Sequence, residues 1–496
     1  MRRTGEERSR VPVDLEAIAW DVMKKYGFRP NYPGAVLREV GAIDPYARGT
    51  APGTVQDLRA LLWSSIDNYD SMDLDQLEYC EKGGDGGIHV QVAIADVDLR
   101  VPKGSQTDRH AAHNGASIYF DVVTFPMLPL RLSGGITSLL PGRDCMAMVV
   151  EYTVLPDGSI RYGSVFRAMV ANHAKLVYEE VGTWLEGTGP EPSAVQAVAG
   201  LAGQIRLQNE AAFRLKEQRT RQGALALETI EAQAVYEKGA VKDLVLVEEN
   251  AARSLIEEFM VAANRTMMAF LSAAGIPRIE RVVRTPRDWD GIVATAAELG
   301  VSLPAEPDVQ ALSRFLLARK EADPERFPDL SLTVVKLMGP GEYALLEPGN
   351  PPVGHFALAV TDYTHGTAPN RRYIDLVIQR LLKSVIDRKP SPYTVQELGD
   401  LCAWLTDREK ESKKAERFMR KAAAAVLLRD QIGRTFTGLV TGASDKGTYV
   451  RLTTPPAEGR VVEGERGLRV GQKVHVRLLG ADPYRGYIDF AFSGNG

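Results

Sequence analysis

Cysteine is scarce in this chain: Cys80, Cys145 and Cys402 stand far apart among 496 residues. No two have the short spacing of a zinc site, and three are too few for a disulfide framework. That argues for a reducing, cytoplasmic setting. Long apolar runs are also lacking, so no membrane segment is expected. The opening Met1-Arg2-Arg3-Thr4-Gly5-Glu6-Glu7-Arg8 carries charge with no apolar core behind it, and a secretory leader is not expected. Neither a GxxxxGK[ST] loop nor a convincing dinucleotide fingerprint occurs, which sets aside a P-loop engine and leaves no organic cofactor indicated. There is no internal repeat and no strong charge of one sign, the net being −4. A nucleic-acid enzyme can carry that balance when its basic residues line a channel and its carboxylates surround metal. What is plentiful is apolar content, 44%, enough for a large core. The length corresponds to roughly two to four domains.

Residues 1–12 read as a disordered tail. Leu15, Ile18, Ala19, Val22 and Met23 have helical spacing behind a capping Asp14, and Gly34–Val40 reads as a second short helix. Two helices and a tight turn fit a helix-turn-helix, or equally a hairpin that packs on the main domain. Residues 43–56, rich in Gly, Pro and Ala, read as a linker. The expected domains are therefore a small helical segment over 1–56, a main domain over 57–432 and a terminal β domain over 433–496. In the main domain, strands are predicted at Leu77–Tyr79, Ile88–Val97, Ser117–Phe120 and Met146–Val154. Helical periodicity then dominates 176–187, 196–219, 249–274, 307–321, 372–387 and 394–430. Strands first and helices afterwards make the fold class α+β.

The stretch Ile66–Leu77 carries the chemistry. Asp67, Asp70, Asp73 and Asp75 fall within nine positions that hold no Lys or Arg. Carboxylates this close repel unless a cation compensates, and hard oxygen donors suit Mg²⁺, with Mn²⁺ as the alternative. A solvated acidic turn is the competing reading. A calcium loop is excluded, because its glycine and terminal glutamate are missing.

From about Arg434 the sequence returns to short glycine-punctuated strands. Lys446, Arg451, Lys473, Arg477 and Arg485 alternate with Phe436, Tyr449, Tyr484, Tyr487 and Phe490. Cations for phosphates and aromatics for bases are how a small OB-type barrel grips single-stranded RNA. Some of these aromatics must instead fill the barrel.

Several segments, in order, carry a family likeness: the acidic loop, Val92–Val97, Ser117-Ile118-Tyr119, Phe125–Pro129, Leu255–Asn264, Thr367–Tyr373 and Ala415-Glu416-Arg417. Together they resemble the catalytic domain of the ribonuclease II (RNB) family of exoribonucleases. The terminal barrel resembles an S1 domain. The resemblance runs from about Asp57 to the end of the chain. It implies a monomeric, Mg²⁺-dependent hydrolytic 3′→5′ exoribonuclease that acts on single-stranded RNA and releases nucleoside 5′-monophosphates. By the same resemblance Asp67, Asp73 and Asp75 match three metal-binding aspartates, while Gln76 stands where a fourth is expected. Arg371 matches the arginine that holds the scissile phosphate, and Glu416 a glutamate implicated in catalysis. Arg372 is expected either to touch another phosphate or to face solvent. Tyr119 matches the tyrosine that stacks on the 3′-terminal base, and Tyr449 is assigned to RNA binding in the barrel. Of Glu257 and Glu258 one should face the RNA channel, and Glu258 is assigned to it. A second stacking aromatic is expected just after Gly223-Ala224-Leu225, where this chain has Leu227. The two cold-shock-type barrels usual ahead of the catalytic domain do not fit into 56 residues. A non-catalytic RNA-binding protein, its chemistry weakened through Gln76, is the alternative from another class. A DNA-binding regulator would leave the acidic loop and arginine turn without a purpose.

Overall fold

Asp14 caps the first helix as its position predicts: its Oδ1 accepts the Ala17 amide at 2.9 Å and starts α1 (Leu15–Lys25). After the turn at Pro33 comes α2 (Gly34–Gly41). These helices share no core of their own. Ile18 and Val22 of α1 pack with Phe120, Phe125 and Met419 of the main domain, while Val36 and Val40 of α2 join the large central cluster. Their apolar stripes are short, so each covers a larger surface instead of the other. The computed structural model describes residues 13–44, 53–228, 232–237, 240–246, 249–324, 326–444 and 447–496. The tail expected over 1–12, most of the expected linker, and Lys446 lie outside the described residues.

The main sheet opens with β1 (Gln56–Asp57), β2 (Ser64–Asp67), β3 (Gln76–Lys82) and β4 (Ile88–Ala95). Next come α3 (Gln106–Asn114) and a hairpin of β5 (Ile118–Phe120) and β6 (Val123–Phe125). Then β7 (Asp144–Val154), β8 (Ile160–Ala171) and β9 (Ala174–Val177) complete a seven-stranded sheet in the order β1-β8-β7-β4-β3-β2-β9. Pairing from β8 to β2 is antiparallel, and the edge strands β1 and β9 are added in parallel. Central strands such as β4 are buried at nearly every position, as expected of strands covered on both faces.

Helices α4 (Tyr178–Leu185), α5 (Ser193–Gln196) and α6 (Leu201–Arg221) follow, then a hairpin of β10 (Ala232–Glu237) and β11 (Ala240–Leu246). The long α7 (Ala251–Ala273) lies against β7 and β8, with Phe259 set edge-on to Tyr152. A strand pair, β12 (Arg278–Val282) and β13 (Glu342–Leu346), flanks α8 (Trp289–Glu298), α9 (Val309–Ala322) and α10 (Phe327–Met338), which share their own small core. The nearly buried α11 (Tyr373–Ile386) precedes α12 (Val395–Leu428), which starts in a reciprocal Thr394–Glu397 capping box. Five strands then close a barrel: β14 (Thr435–Ser444), β15 (Gly447–Leu452), β16 (Glu458–Glu463), β17 (Lys473–Asp482) and β18 (Tyr487–Asn495). No helix among the described residues is long and apolar enough to cross a membrane.

Candidate active site

Since β2 ends at Asp67 and β3 begins at Gln76, the acidic stretch is the link between two neighbouring strands at one end of the sheet. Backbone contacts fix its shape. Lys175 on β9 donates to the carbonyls of Tyr69 (2.8 Å) and Ser71 (2.6 Å). Ser138 donates to the Met72 carbonyl at 2.6 Å and accepts the Leu74 amide at 2.9 Å. The carboxylates then take different positions. Asp67 accepts the Ser71 hydroxyl at 2.6 Å, and Asp73 accepts the Tyr119 hydroxyl at 3.1 Å. Asp75 is buried; one oxygen accepts the Asn370 amide at 2.9 Å, and the other has no hydrogen-bond partner. Asp70 stands exposed on the loop, apart from this arrangement.

The turn Thr367–Tyr373 supplies the opposite charge. Asp375, fully buried, accepts the Ala368 amide at 2.7 Å and accepts from Nε and Nη2 along one edge of the Arg372 guanidinium, at 2.9 and 2.7 Å. The Asn370 side chain accepts the Thr137 hydroxyl at 2.6 Å, which fixes the residue whose backbone amide donates to Asp75. Arg371 alone projects outward: it is exposed, with Nε 3.7 Å from the unpartnered Asp75 oxygen. The expectation that Arg372 meets a phosphate is therefore corrected. Its fork is engaged by Asp375, where it braces the turn that presents Arg371.

Burial pushes the Asp75 carboxyl up to about 8; neighbouring Asp73 and Asp375 add to this, and Arg371 and the Asn370 amide oppose it. Burial likewise raises Asp73. Desolvated carboxylates at close quarters resist ionisation, which is the electrostatic signature of a cation site. Beside the loop opens a cleft of about 990 Å³, bordered by Asp73, Tyr119, Thr124, Leu130, Glu179 and Arg253. Strand alternation puts Ile118 and Phe120 inward and the Tyr119 ring outward into the cleft. Trp20 of α1 meets Phe125 edge-on at 5.0 Å, so the amino-terminal helix buttresses the hairpin that carries Tyr119.

Other predicted residues lie elsewhere. Glu258 is 2% exposed and clamps Arg219 at 2.8 and 2.5 Å; it is not presented to an RNA channel. Leu255, Val261 and Ala262, at its i−3, i+3 and i+4 positions on α7, are apolar core residues, so the face that carries it turns inward, and the exposed carboxylate of the pair is Glu257. Glu416 is half-buried on α12, the helix packed on β5, and accepts the Ser412 hydroxyl at 2.8 Å. Tyr449 lies under the Lys421 ammonium of α12, 5.3 Å from ring centre, at the seam between helix and barrel. Leu227 packs with the α8–α10 cluster. In the barrel Phe490 is core, Arg451 pairs with Asp329 of α10, and Tyr484 and Tyr487 are the exposed aromatics.

Sequence reasoning passed over Asn370, Lys175 and Glu78. Glu78 is fully buried on β3, with neither carboxylate oxygen partnered. Its signal in the sequence is faint: Gln76, Glu78 and Cys80 alternate onto one face of β3.

Residues 55–388 match the RNB domain. The chain belongs to the RNB family. Residues 434–493 match the RNase II-type exonuclease C-terminal S1 domain, so α12 and Glu416 fall between the two matched segments. Ribonuclease R of Escherichia coli (strain K12) is 29% identical over 471 residues, covering 92% of this chain and 55% of the relative. Ribonuclease R of Thermotoga maritima is 30% identical over 491 residues, covering 93% and 68%. The RNB chain thus spans little more than half the length of the first of these relatives. Mycoplasma genitalium RNase R in complex with ribose methylated single-stranded RNA shares the fold, with a TM-score of 0.88, 23% identity, and coverage of 97% of this chain and 78% of that one.

Proposed function

We propose that this RNB-family chain is a cytoplasmic, divalent-metal-dependent hydrolase that degrades single-stranded RNA from its 3′ end and releases nucleoside 5′-monophosphates. The observation that carries the reading is Asp75 with an unpartnered buried oxygen 3.7 Å from the exposed Arg371. A buried carboxyl with a free oxygen beside a presented guanidinium fork suits a site for a phosphodiester and a cation. The relatives named ribonuclease R support the reaction class.

Among the described residues no three His, Cys, Asp or Glu side chains are gathered at metal-holding distance. The donor chemistry nevertheless fits Mg²⁺: unpartnered buried oxygens lie on Asp75 and Glu78, and the donors are hard. Asp67, Asp73 and Asp75 would hold the ion, with the Gln76 amide oxygen as a neutral donor. When bound, it would neutralise the phosphate and lower the pKa of a water. Arg371 would hold the non-bridging oxygens of the scissile phosphate. Tyr119 would stack on the terminal base, its hydroxyl anchored on Asp73. Glu416 keeps a catalytic assignment from the family pattern alone. Lys473, Arg477, Tyr484 and Tyr487 would hold upstream RNA on the barrel. Gln76 favours a second reading, an RNA-binding protein of the same fold with weakened catalysis.

Products separate these readings: mononucleotides released from single-stranded RNA support the enzyme, and RNA bound without any cleavage supports the second reading. Uniformly labelled single-stranded RNA should yield mononucleotides and one short limit oligonucleotide; medium-sized internal fragments would contradict an exonuclease. Tyr119→Ala should lengthen that limit product by one or more nucleotides, since a stacked base is worth about 1–3 kcal/mol. An unchanged limit product would remove Tyr119 from the binding site.

A further inference from the structure

Glu78 is the most anomalous side chain in the sheet. It is fully buried, and among its neighbours neither carboxylate oxygen finds a donor. An unpaired ionised carboxylate in such a place is costly, and protein interiors rarely keep one without a cation or a hydrogen bond. Its surroundings hold further unpartnered oxygens. Ser64, which pairs across from it on β2, has an unpartnered hydroxyl, and Gln208 donates its amide to the Glu78 carbonyl at 3.3 Å but leaves its own Oε1 unpartnered. Four buried acceptor atoms on three neighbouring residues call for something that donates or carries positive charge.

Glu78 lies on β3, the strand that leaves the acidic loop. It lies two residues beyond Gln76 on the same strand, so both project from one face, about 7 Å apart along the strand. Its cross-strand partner Ser64 begins β2, the strand that ends at Asp67. Lys175, which pairs with Ser65 across β2 and β9, is engaged by the Tyr69 and Ser71 carbonyls.

We propose that Glu78 is a further acidic member of the divalent-cation site, supplying from the next same-face position of β3 the negative charge that Gln76 does not. An amide at 76 gives an oxygen without charge. A glutamate at 78 restores the charge, and its extra methylene gives it the longer reach. The inference rests on the metal-dependent reading above, and the experiment keeps the two apart.

The test is Mn²⁺ binding to the metal-free full chain, read by electron paramagnetic resonance, for the parent protein, Asp67→Asn, Glu78→Gln, Gln76→Asp and the double variant Gln76→Asp/Glu78→Gln. Glu78→Gln keeps the shape of the side chain, and thermal melts of the metal-free proteins check folding. The expected result is Mn²⁺ affinity reduced at least tenfold in Glu78→Gln, raised in Gln76→Asp, and returned near the parent value in the double variant. Mn²⁺ should also raise the melting temperature less in Glu78→Gln than in the parent. If Asp67→Asn weakens Mn²⁺ binding while Glu78→Gln stays within twofold of the parent, the Glu78 proposal is overturned and the metal site stands. If neither substitution changes Mn²⁺ binding, the acidic loop is not a cation site and both readings fall.

Discussion

Asp75→Asn is expected to slow RNA cleavage by at least about 10³-fold while single-stranded RNA affinity changes by no more than a few fold. Asp75 is the carboxylate at which the two halves of the site meet: the Asn370 amide holds one oxygen, and the other is left unpartnered 3.7 Å from Arg371. Asparagine preserves the shape and can still accept from Asn370, but it carries no charge for a cation. Loss of metal-based charge stabilisation is worth several kcal/mol, and about 4 kcal/mol corresponds to that factor. The RNA contacts proposed for Tyr119 and the barrel would be untouched. Stability should move the other way. A carboxyl whose folded pKa is raised, here to about 8 from an ordinary 3.8, stabilises the fold fully only below about pH 4. That contribution is lost as pH climbs toward 8, because ionising the buried group then disfavours the folded state. The metal-free parent should therefore melt progressively lower between pH 4 and 8, and Asp75→Asn should flatten that trend. Parallel loss of cleavage, RNA binding and melting temperature would mean that Asp75 is only structural.

Arg371→Gln should lower kcat by about 10²–10³-fold, the usual effect of removing one preorganised donor to a developing anion. Arg371→Lys should recover little, since an ammonium cannot reproduce a two-pronged grip on phosphate oxygens. The adjacent arginine provides the contrast. Arg372 is held by the buried Asp375, so Arg372→Gln leaves that carboxylate unpaired and should lower the melting temperature. Kinetics at saturating RNA, set beside thermal melts of the two variants, check the division. If Arg372→Gln loses kcat at full stability while Arg371→Gln does not, the assignments are reversed.

Much of this architecture was legible because its signals are long or strongly periodic. The helices predicted over 249–274 and 394–430 are α7 and α12, and the strands predicted at Ile88–Val97 and Met146–Val154 are β4 and β7. The polar α3, Gln-Thr-Asp-Arg-His-Ala-Ala-His-Asn, has almost no apolar stripe to detect and is held by its Ser105 cap and by packing. β16 is short and charged at its ends, so its strand character comes from barrel closure. In the site, residue types at the loop and the arginine turn were readable, but their pairings were not. Glu258 reads as the channel-facing member of its pair until the helix face is known, and Arg372 reads as a second phosphate contact or a solvent-facing residue until Asp375 claims it. Glu78 escaped notice because a glutamate inside an apolar strand signals little until its burial is seen.

The central claim is that the acidic loop and Arg371 form a metal-dependent exonuclease centre. The direct measurement is a time course on 5′-labelled single-stranded RNA, with Mg²⁺ or with EDTA, resolved at single-nucleotide length. The account predicts a ladder that shortens progressively from the 3′ end with Mg²⁺ and no cleavage with EDTA. RNA binding without any cleavage across a range of Mg²⁺ and Mn²⁺ concentrations would contradict it.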